Sequence, residues 1–567
     1  MPERLRDLLG LGAALLVGAA VFFVYCGWWV LLPTNIAWLD TGDRAMHQLG
    51  WMFYRAAPWE FPPGRSPLLG LELANSIALV DGLPLFAIPF KLVAAWLPTP
   101  FQYWGAWLLA VFVLQSAFAY RLARELGAGR RVALAAAAFA LITPAFLFRV
   151  PMHMALSGHF VLLAALFLYV RRDAPAGWMW PLLAAVTAAI HGTLLAMVLA
   201  LWFAALLERI WRGRFGDLQA VRETALVCLA TAATLYLVGF FGTGSYGTYG
   251  YGAYKLNLLW PALTYGWSQL VPDLAHTRFD YEGLSFPGIG IAALLVVAAL
   301  SGALLGLRAA ATRRWLPLAA MLLALMIFAV SKTPSFGPHD LADIPVPPLV
   351  DALGSAFRST GRFVWPLLYL VTIGAVVLVG RRFRPAVALP LLLLAFIAQA
   401  VDSAPAWRAF AAGMARPAPS WLTPLVSPFW ERAADAGYRR LRAIPIEGGF
   451  GSDWQALGYY AVTHGMDTDI AYLGRVDGAA HAALAAAKVE LLETGAFEAH
   501  TLYVLGLPAA LATLRHLEPG DLLATIDGRI VFARGGAELI EGLGIANTPT
   551  EGGRWLPPVA YGGSHSR

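Results

Sequence analysis

"LLGLGAALLVGAAVFFVYCGWWVLL", residues 8–32, decides the fold. It is 25 residues long and carries no charge. As a helix it crosses a hydrocarbon core about 30 Å thick, and it is too long for the apolar centre of a cleaved signal peptide. It reads as an uncleaved first membrane helix. Directly after it, "AWLDTGDRAMHQLGW", residues 37–51, sets two carboxylates, an arginine and a histidine at the mouth of that helix. The whole chain follows suit, with 59% hydrophobic and 13% charged residues over 567 positions. That is the balance of an integral membrane protein rather than a soluble domain. Cys26 and Cys228 fall inside apolar runs, as small buried hydrophobes rather than redox or metal groups. The formal charge of +6 comes from arginines that map onto loops, so nucleic acid is not an expected partner.

Further apolar runs cover roughly 102–120, 132–148, 155–170, 176–190, 192–207, 222–241, 287–307, 315–330, 363–380 and 386–401, which predicts about eleven transmembrane helices. Every second connection is rich in arginine: Arg121, Arg124, Arg130 and Arg131, then Arg171 and Arg172, then Arg209, Arg212 and Arg214, then Arg308, Arg313 and Arg314, then Arg381, Arg382 and Arg384. Short basic loops stay in the cytoplasm, which puts the N-terminus inside and the tail outside. For that alternation to hold, "NSIALVDGLPLFAIPFKLVAAWLP", residues 75–98, must not span. Its Asp81, Pro84, Pro89 and Lys91 suit a juxtamembrane helix pair.

The expected organisation is therefore a transmembrane domain over 1–402, with long outer loops at 33–101, 242–286 and 331–362, and a small extracytoplasmic α/β domain over 403–567. In that domain "TLYVLG" reads as a strand, "PAALATLRHL" as a helix and "DLLATIDGRIVFAR" as a hairpin turning at Asp527 and Gly528. It contains no metal-ligand spacing, no GxSxG and no phosphate loop, which leaves a capping or acceptor-binding role.

The polar residues of the outer loops are the site candidates. Asp40 and Asp43, with His47 and Asp81 nearby, can supply a desolvated general base, although Asp43 equally suits the start of a helix near Arg44. "FRSTGRFVWP", residues 357–366, brings two guanidiniums to the outer face against the charge bias. Arg358 and Arg362 share one face if the stretch is helical, and would then grip a phosphate or pair with acids. "GFFGTGSYGTYGYGAYKLNLLWP", residues 239–261, alternates glycine and tyrosine and ends in Tyr254 and Lys255, which suits a lid, sugar stacking or an interfacial tyrosine belt. Glu282 in "RFDYEGLSFPGIG" precedes a helix, and an acid at a helix start is its plainer role. His153, His159 and His191 lie near outer helix ends without the i, i+4 spacing of a zinc pair, so no metal site is expected.

Taken together, "GDRAMHQLGW", "SIALVDGLPLFAIPFK", "YEGLSFPGIG" and "FRSTGRFVWP" resemble a bacterial membrane family of unassigned function. That family is usually placed near the GT-C superfamily of polyprenyl-phosphate-sugar-dependent glycosyltransferases. The resemblance covers roughly residues 33–400. It implies a bacterial cytoplasmic-membrane enzyme that binds a lipid-linked sugar phosphate through Arg358, Arg362 and Lys255. Asp43 or Asp40 would deprotonate an acceptor hydroxyl on a glycan, lipid or protein, with inversion at the anomeric carbon. His47, Asp81, His153, His159, His191, Tyr254 and Glu282 would line the substrate cavity. No cofactor is implied, because the activation energy travels with the lipid. The acids here are spaced Asp-Thr-Gly-Asp, where several GT-C families have adjacent ones. A transporter of lipid-linked saccharide and a membrane assembly subunit are the alternatives.

Overall fold

The computed structural model describes residues 3–548 apart from 74, 172–176, 215, 242–250, 304–313, 416–420, 447–452 and 474–475. The first part of the glycine–tyrosine loop, and Arg172, Arg308 and Arg313, lie outside the described residues.

In hydrocarbon every backbone amide must find its partner within the chain, and apolar runs accordingly form helices. Six described helices are long and apolar enough to cross a membrane: Leu5–Cys26, Trp104–Glu125, Gly192–Trp211, Asp217–Leu237, Thr360–Arg382 and Pro385–Ala412. Arg130–Leu141 and Pro144–Met152 make a seventh if counted as one span bent by 47°. Pro144 begins the second half, where it has no amide hydrogen to continue the ladder. Four of the expected spans are shorter apolar helices, Ala155–Val170, Met179–Ala188, Ile289–Leu300 and Leu316–Val330. The chain is thus a mostly helical, integral membrane protein. The stretch 75–98 contains only the nine-residue helix Pro84–Leu92 and a 3-10 turn, Ala94–Trp96, too short to cross. Cys26 is buried as expected; Cys228 is exposed, on a helix whose apolar face suits lipid.

The chain forms two compact units. The first comprises Met1–Trp38, Leu83–Leu237 and Gly247–Pro419. Its helices are tied together by buried side chains that reach across to backbone carbonyls: Ser116 Oγ to Ala14 at 2.6 Å, Tyr25 Oη to Leu147 at 2.9 Å, and Trp107 Nε1 to Met154 at 2.7 Å. Such bonds hold helices together where the solvent is as apolar as the side chains. The arginine-rich connections meet one another. Arg124 and Arg130 pair with Asp7, Arg381 donates to Leu126 O at 3.2 Å, Arg382 to Ser301 O at 2.8 Å, and Arg314 to Arg171 O at 3.1 Å. Arg209 instead forms a buried two-pronged pair with Glu223, at 2.7 and 2.6 Å. A short hairpin, β1 (Ser335–Phe336) with β2 (His339–Asp340), lies in the connection 331–362.

The second unit comprises Leu39–Gly82, Val238–Tyr246 and Ser420–Arg567, a grouping by contacts that draws on more of the chain than the tail beyond 402. The helix Pro385–Ala412 runs across 402 and 403, and most of the connection 33–101 groups with the tail. The reason lies in the sheet. Strands β3 (Arg440–Ile444), β4 (Asp467–Thr468), β5 (Thr501–Leu505), β6 (Leu522–Ile526) and β7 (Arg529–Ala533) are arranged in the order β4-β3-β5-β7-β6. β3 is parallel to β4 and β5, and β7 antiparallel to β5 and β6. β4 is an edge only two residues long, and an uncovered edge invites other chains. The first-loop segment covers it: Thr468 N donates to Leu68 O at 3.1 Å, and Gly70 N to Thr468 O at 2.8 Å. The first-loop helix Gly42–Ala56 also packs on the helix Asp453–Thr463, with Leu49 against Gly458. As expected, β6 and β7 are joined at Asp527 (φ 46°) and Gly528 (φ 77°), the mirror-image turn that matches strand twist. Phe497, Tyr503, Leu523 and Phe532 pack in the core beneath the sheet.

Candidate functional site

Three stretches that are far apart in sequence cross at two glycines in the first unit. A Cβ on Gly361 would stand 2.7 Å from Lys255 O and 2.8 Å from Gly283 Cα, and one on Gly283 would stand 2.7 Å from Lys255 O. Only glycine allows three backbones this close. Gly361 N donates to Tyr254 O at 3.0 Å. The crossing joins the outer loops expected at 242–286 and 331–362, and with them Tyr254, Lys255, Glu282, Arg358 and Arg362.

At its centre Glu282 is shared by two guanidiniums. Arg362 donates to Oε2 through Nη2 at 2.6 Å and Nε at 3.2 Å. Arg149 approaches the same oxygen at 2.8 Å through Nη1, and donates through Nη2 to the Glu282 backbone carbonyl at 2.7 Å. The Arg149 side chain is 1% exposed, and those of Arg362 and Glu282 are 9%. His153 Nε2 stands 3.6 Å from Glu282 Oε1. Burial pushes the Glu282 carboxyl up, and Arg149 and Arg362 more than reverse this, holding it well below the usual carboxylate range. The group is therefore two permanent cations on one carboxylate. About ten guanidinium N–H donors face about four carboxylate acceptor sites, and Arg149 Nε is a buried donor with no hydrogen-bond partner. Arg149 lies 5.6 Å from the Trp365 ring centroid. Against that ring, at 4.2 Å between centroids and tilted by 37°, lies His159, whose Nδ1 is hydrogen-bonded with Tyr369 Oη at 2.6 Å.

The remaining candidates are distributed as follows. Arg358 ends the helix Pro348–Phe357 with φ 59°, and Thr360–Val364 is a 3-10 turn, so Arg358 and Arg362 do not share a helical face. Arg358 instead lies 5.1 Å from the Tyr254 ring centroid and donates to Tyr254 Oη at 3.3 Å. Lys255 is buried and pairs with Asp340. Glu282 starts no helix directly; it sits in the 3-10 turn Asp280–Gly283, as the hub of the arginine pair. His191 caps the helix Gly192–Trp211, accepting from Thr193 N at 3.0 Å, a structural role. Asp40, Asp43, His47 and Asp81 belong to the second unit. Asp40 and His47 are buried there, and Asp43 sits in the first turn of the helix Gly42–Ala56, whose N-cap is Thr41. Asp81 adopts φ 49° before the helix Pro84–Leu92. Among the described residues no group of three or more His, Cys, Asp or Glu could hold a metal ion.

Arg149 was not among the sequence candidates. Its signal was present, since an arginine inside the apolar run "PAFLFRVPM" is costly enough to demand a partner.

No curated protein and no solved structure matches the chain. The domain of unknown function DUF6311 matches residues 15–404, and the DUF6311 C-terminal domain matches residues 429–534. With most of its length covered in this way, the chain belongs to the DUF6311 family.

Proposed function

We propose that the protein is an inverting GT-C type glycosyltransferase of the bacterial cytoplasmic membrane, moving a sugar from a polyprenyl-phosphate donor to a glycan, lipid or protein acceptor on the outer side. The observation that carries this reading is the buried pair Arg149 and Arg362 on the single carboxylate of Glu282. An excess of buried cation in an apolar membrane unit is costly, and one phosphate anion from a lipid donor would relieve it. Arg358, beside Tyr254, brings a further guanidinium near the same crossing. The arginine-rich connections that touch one another support eleven crossings with those loops in the cytoplasm, the shorter apolar helices serving as full members of the bundle.

The chemistry then follows. A base, for which the family resemblance offers Asp43 or Asp40, takes the proton of an acceptor hydroxyl, whose oxygen attacks the anomeric carbon from the side opposite the phosphate. The bond between that carbon and the phosphate oxygen breaks, and its electron pair leaves with the polyprenyl phosphate. The guanidiniums stabilise the leaving phosphate, so no acid is needed to protonate it. This step needs no nucleotide and no metal-bound intermediate.

The test is turnover in proteoliposomes supplied with a series of synthetic polyprenyl-phosphate sugars and a bacterial envelope extract as acceptor source, following free polyprenyl phosphate. The expected result is release from at least one donor, falling by about 10²–10⁴-fold in Asp43→Asn or in Asp40→Asn. No release from any donor, or wild-type turnover in both variants, sinks the proposal. Transport is favoured by a different feature, the position of Arg149 within an apolar helix, and would show as donor crossing the bilayer uncleaved.

A further inference from the structure

A second concave site lies wholly within the other unit. It encloses about 330 Å³, at the small end of small-molecule sites, and is lined by Glu60, Arg65, Pro67, Leu71, Glu72, Asn75, Arg440 and Arg442. One wall is the β3 strand, on which Arg440 and Arg442, two apart, face the same side. The other is the first-loop segment that covers the sheet edge.

The charges of this cleft are matched. Arg440 grips Asp467 through Nε at 2.9 Å and Nη2 at 3.2 Å, and reaches Glu498 at 3.1 Å. Arg442 pairs with Glu72 and stands 3.7 Å from Asp469, which also takes Lys488 at 2.5 Å. Arg65 stands 3.4 Å from Glu60. Four cations meet five carboxylates, so the lining has no surplus positive charge with which to hold a phosphate or a nucleic acid.

Two donors of its lining residues nevertheless remain unused. Asn75 is 5% exposed; its Oδ1 accepts from Ser76 N at 2.8 Å, while its Nδ2 has no hydrogen-bond partner. Arg442 Nε is likewise buried without one. Buried donors of this kind are expensive to leave unmade, which points to a ligand that supplies the acceptors. Pro67 and Leu71 add an apolar patch beside them.

We infer that this cleft binds a neutral saccharide of one or two rings, its hydroxyl oxygens accepting from Asn75 Nδ2 and Arg442 Nε, its hydroxyl hydrogens donated to Glu60 and Glu72, and a C–H face resting on Leu71 and Pro67. Planar carboxylates, guanidinium and amide suit vicinal hydroxyls, each of which both donates and accepts. The inference stands on this unit alone. Under the transfer reading the cleft would be the dock for a glycan acceptor, but binding and donor consumption are measured separately.

The experiment uses the purified full chain in nanodiscs. An array of neutral hexose and pentose mono- to tetrasaccharides is screened beside sialylated and phosphorylated counterparts, and hits are titrated by calorimetry. At least one neutral saccharide is expected to bind, with affinity about tenfold lower in Asn75→Asp, which keeps the acceptor of the Ser76 bond and removes the donor. Glu60→Gln, at the half-exposed rim, should weaken the same ligand severalfold without disturbing the fold. Binding of anionic saccharides alone, no binding by any neutral saccharide at millimolar concentration, or unchanged affinity in both variants overturns the proposal.

Discussion

Two buried charge groups, one in each unit, differ in their balance. In the membrane unit Arg149 and Arg362 share one carboxylate, Glu282. In the other, Arg442 and Lys488 share Asp469, and Arg442 has Glu72 as well, so cations and anions are even. The same residue types therefore have different meanings. A balanced network can be complete in itself, because each buried charge has its counter-charge at hydrogen-bonding range. A group with spare cation is costly in a low-dielectric interior, and an anionic ligand offsets that cost.

The contrast can be broken most forcefully at its hub. Glu282→Gln leaves two buried guanidiniums facing a neutral amide, and should destabilise the membrane unit by about 3–5 kcal/mol, read as thermal unfolding in detergent. The same carboxyl supplies the pH dependence. Because its folded-state pKa lies below the ordinary 4.5, its contribution is complete above 4.5 and is lost as pH falls through the lowered value. The wild type should therefore lose stability on acidification below 4.5, whereas Glu282→Gln should be flatter there.

Asp469→Asn tests the balanced network. It strands the Lys488 ammonium against the Ala443 carbonyl, and should cost about 3 kcal/mol. Adding Lys488→Met should recover most of the loss, since it removes the stranded ammonium and leaves no unpaired buried charge at that position. Failure of the second change to rescue would mean that Lys488 does more than balance charge.

Arg362→Lys keeps the charge and loses the two-pronged grip on Glu282. We expect about 1–2 kcal/mol less stability, together with roughly tenfold weaker donor binding in the proteoliposome assay. A loss of stability with unchanged donor affinity would make the arginine structural. The smallest effect belongs outside the comparison, at the β6–β7 turn. Gly528→Ala forces a side chain to positive φ and should cost about 1 kcal/mol, measured by thermal unfolding.

Much of this was readable along the chain because its causes are local. The apolar runs became helices wherever the backbone had to satisfy itself, and Asp527–Gly528 became the mirror-image turn because few residues tolerate positive φ. Tyr254, Lys255, Glu282, Arg358 and Arg362 drew attention one by one, as polar residues beside apolar helices, and all five meet across the Gly283–Gly361 crossing or one contact away. Their partnerships were not readable. Arg358 and Arg362, four apart, suggested a shared helical face, but the positive φ at Arg358 ends the helix between them. Arg149 stands more than a hundred positions from Glu282, and nothing local announces the pair.

The sequence by itself determined the solvent of this protein, its helical membrane body, the alternation of arginine-rich connections and the strand and turn signals of its tail. Each of these depends on composition or on residues a few positions apart. Only the tertiary structure decided that the segment after the first helix completes the sheet of the tail and that two guanidiniums converge on Glu282. It also decided that Asp40 and Asp43 belong to one unit while Arg358 and Arg362 belong to the other. Those outcomes depend on which distant segments cover an open edge or answer a buried charge, and such complementarity between surfaces leaves no period in the chain.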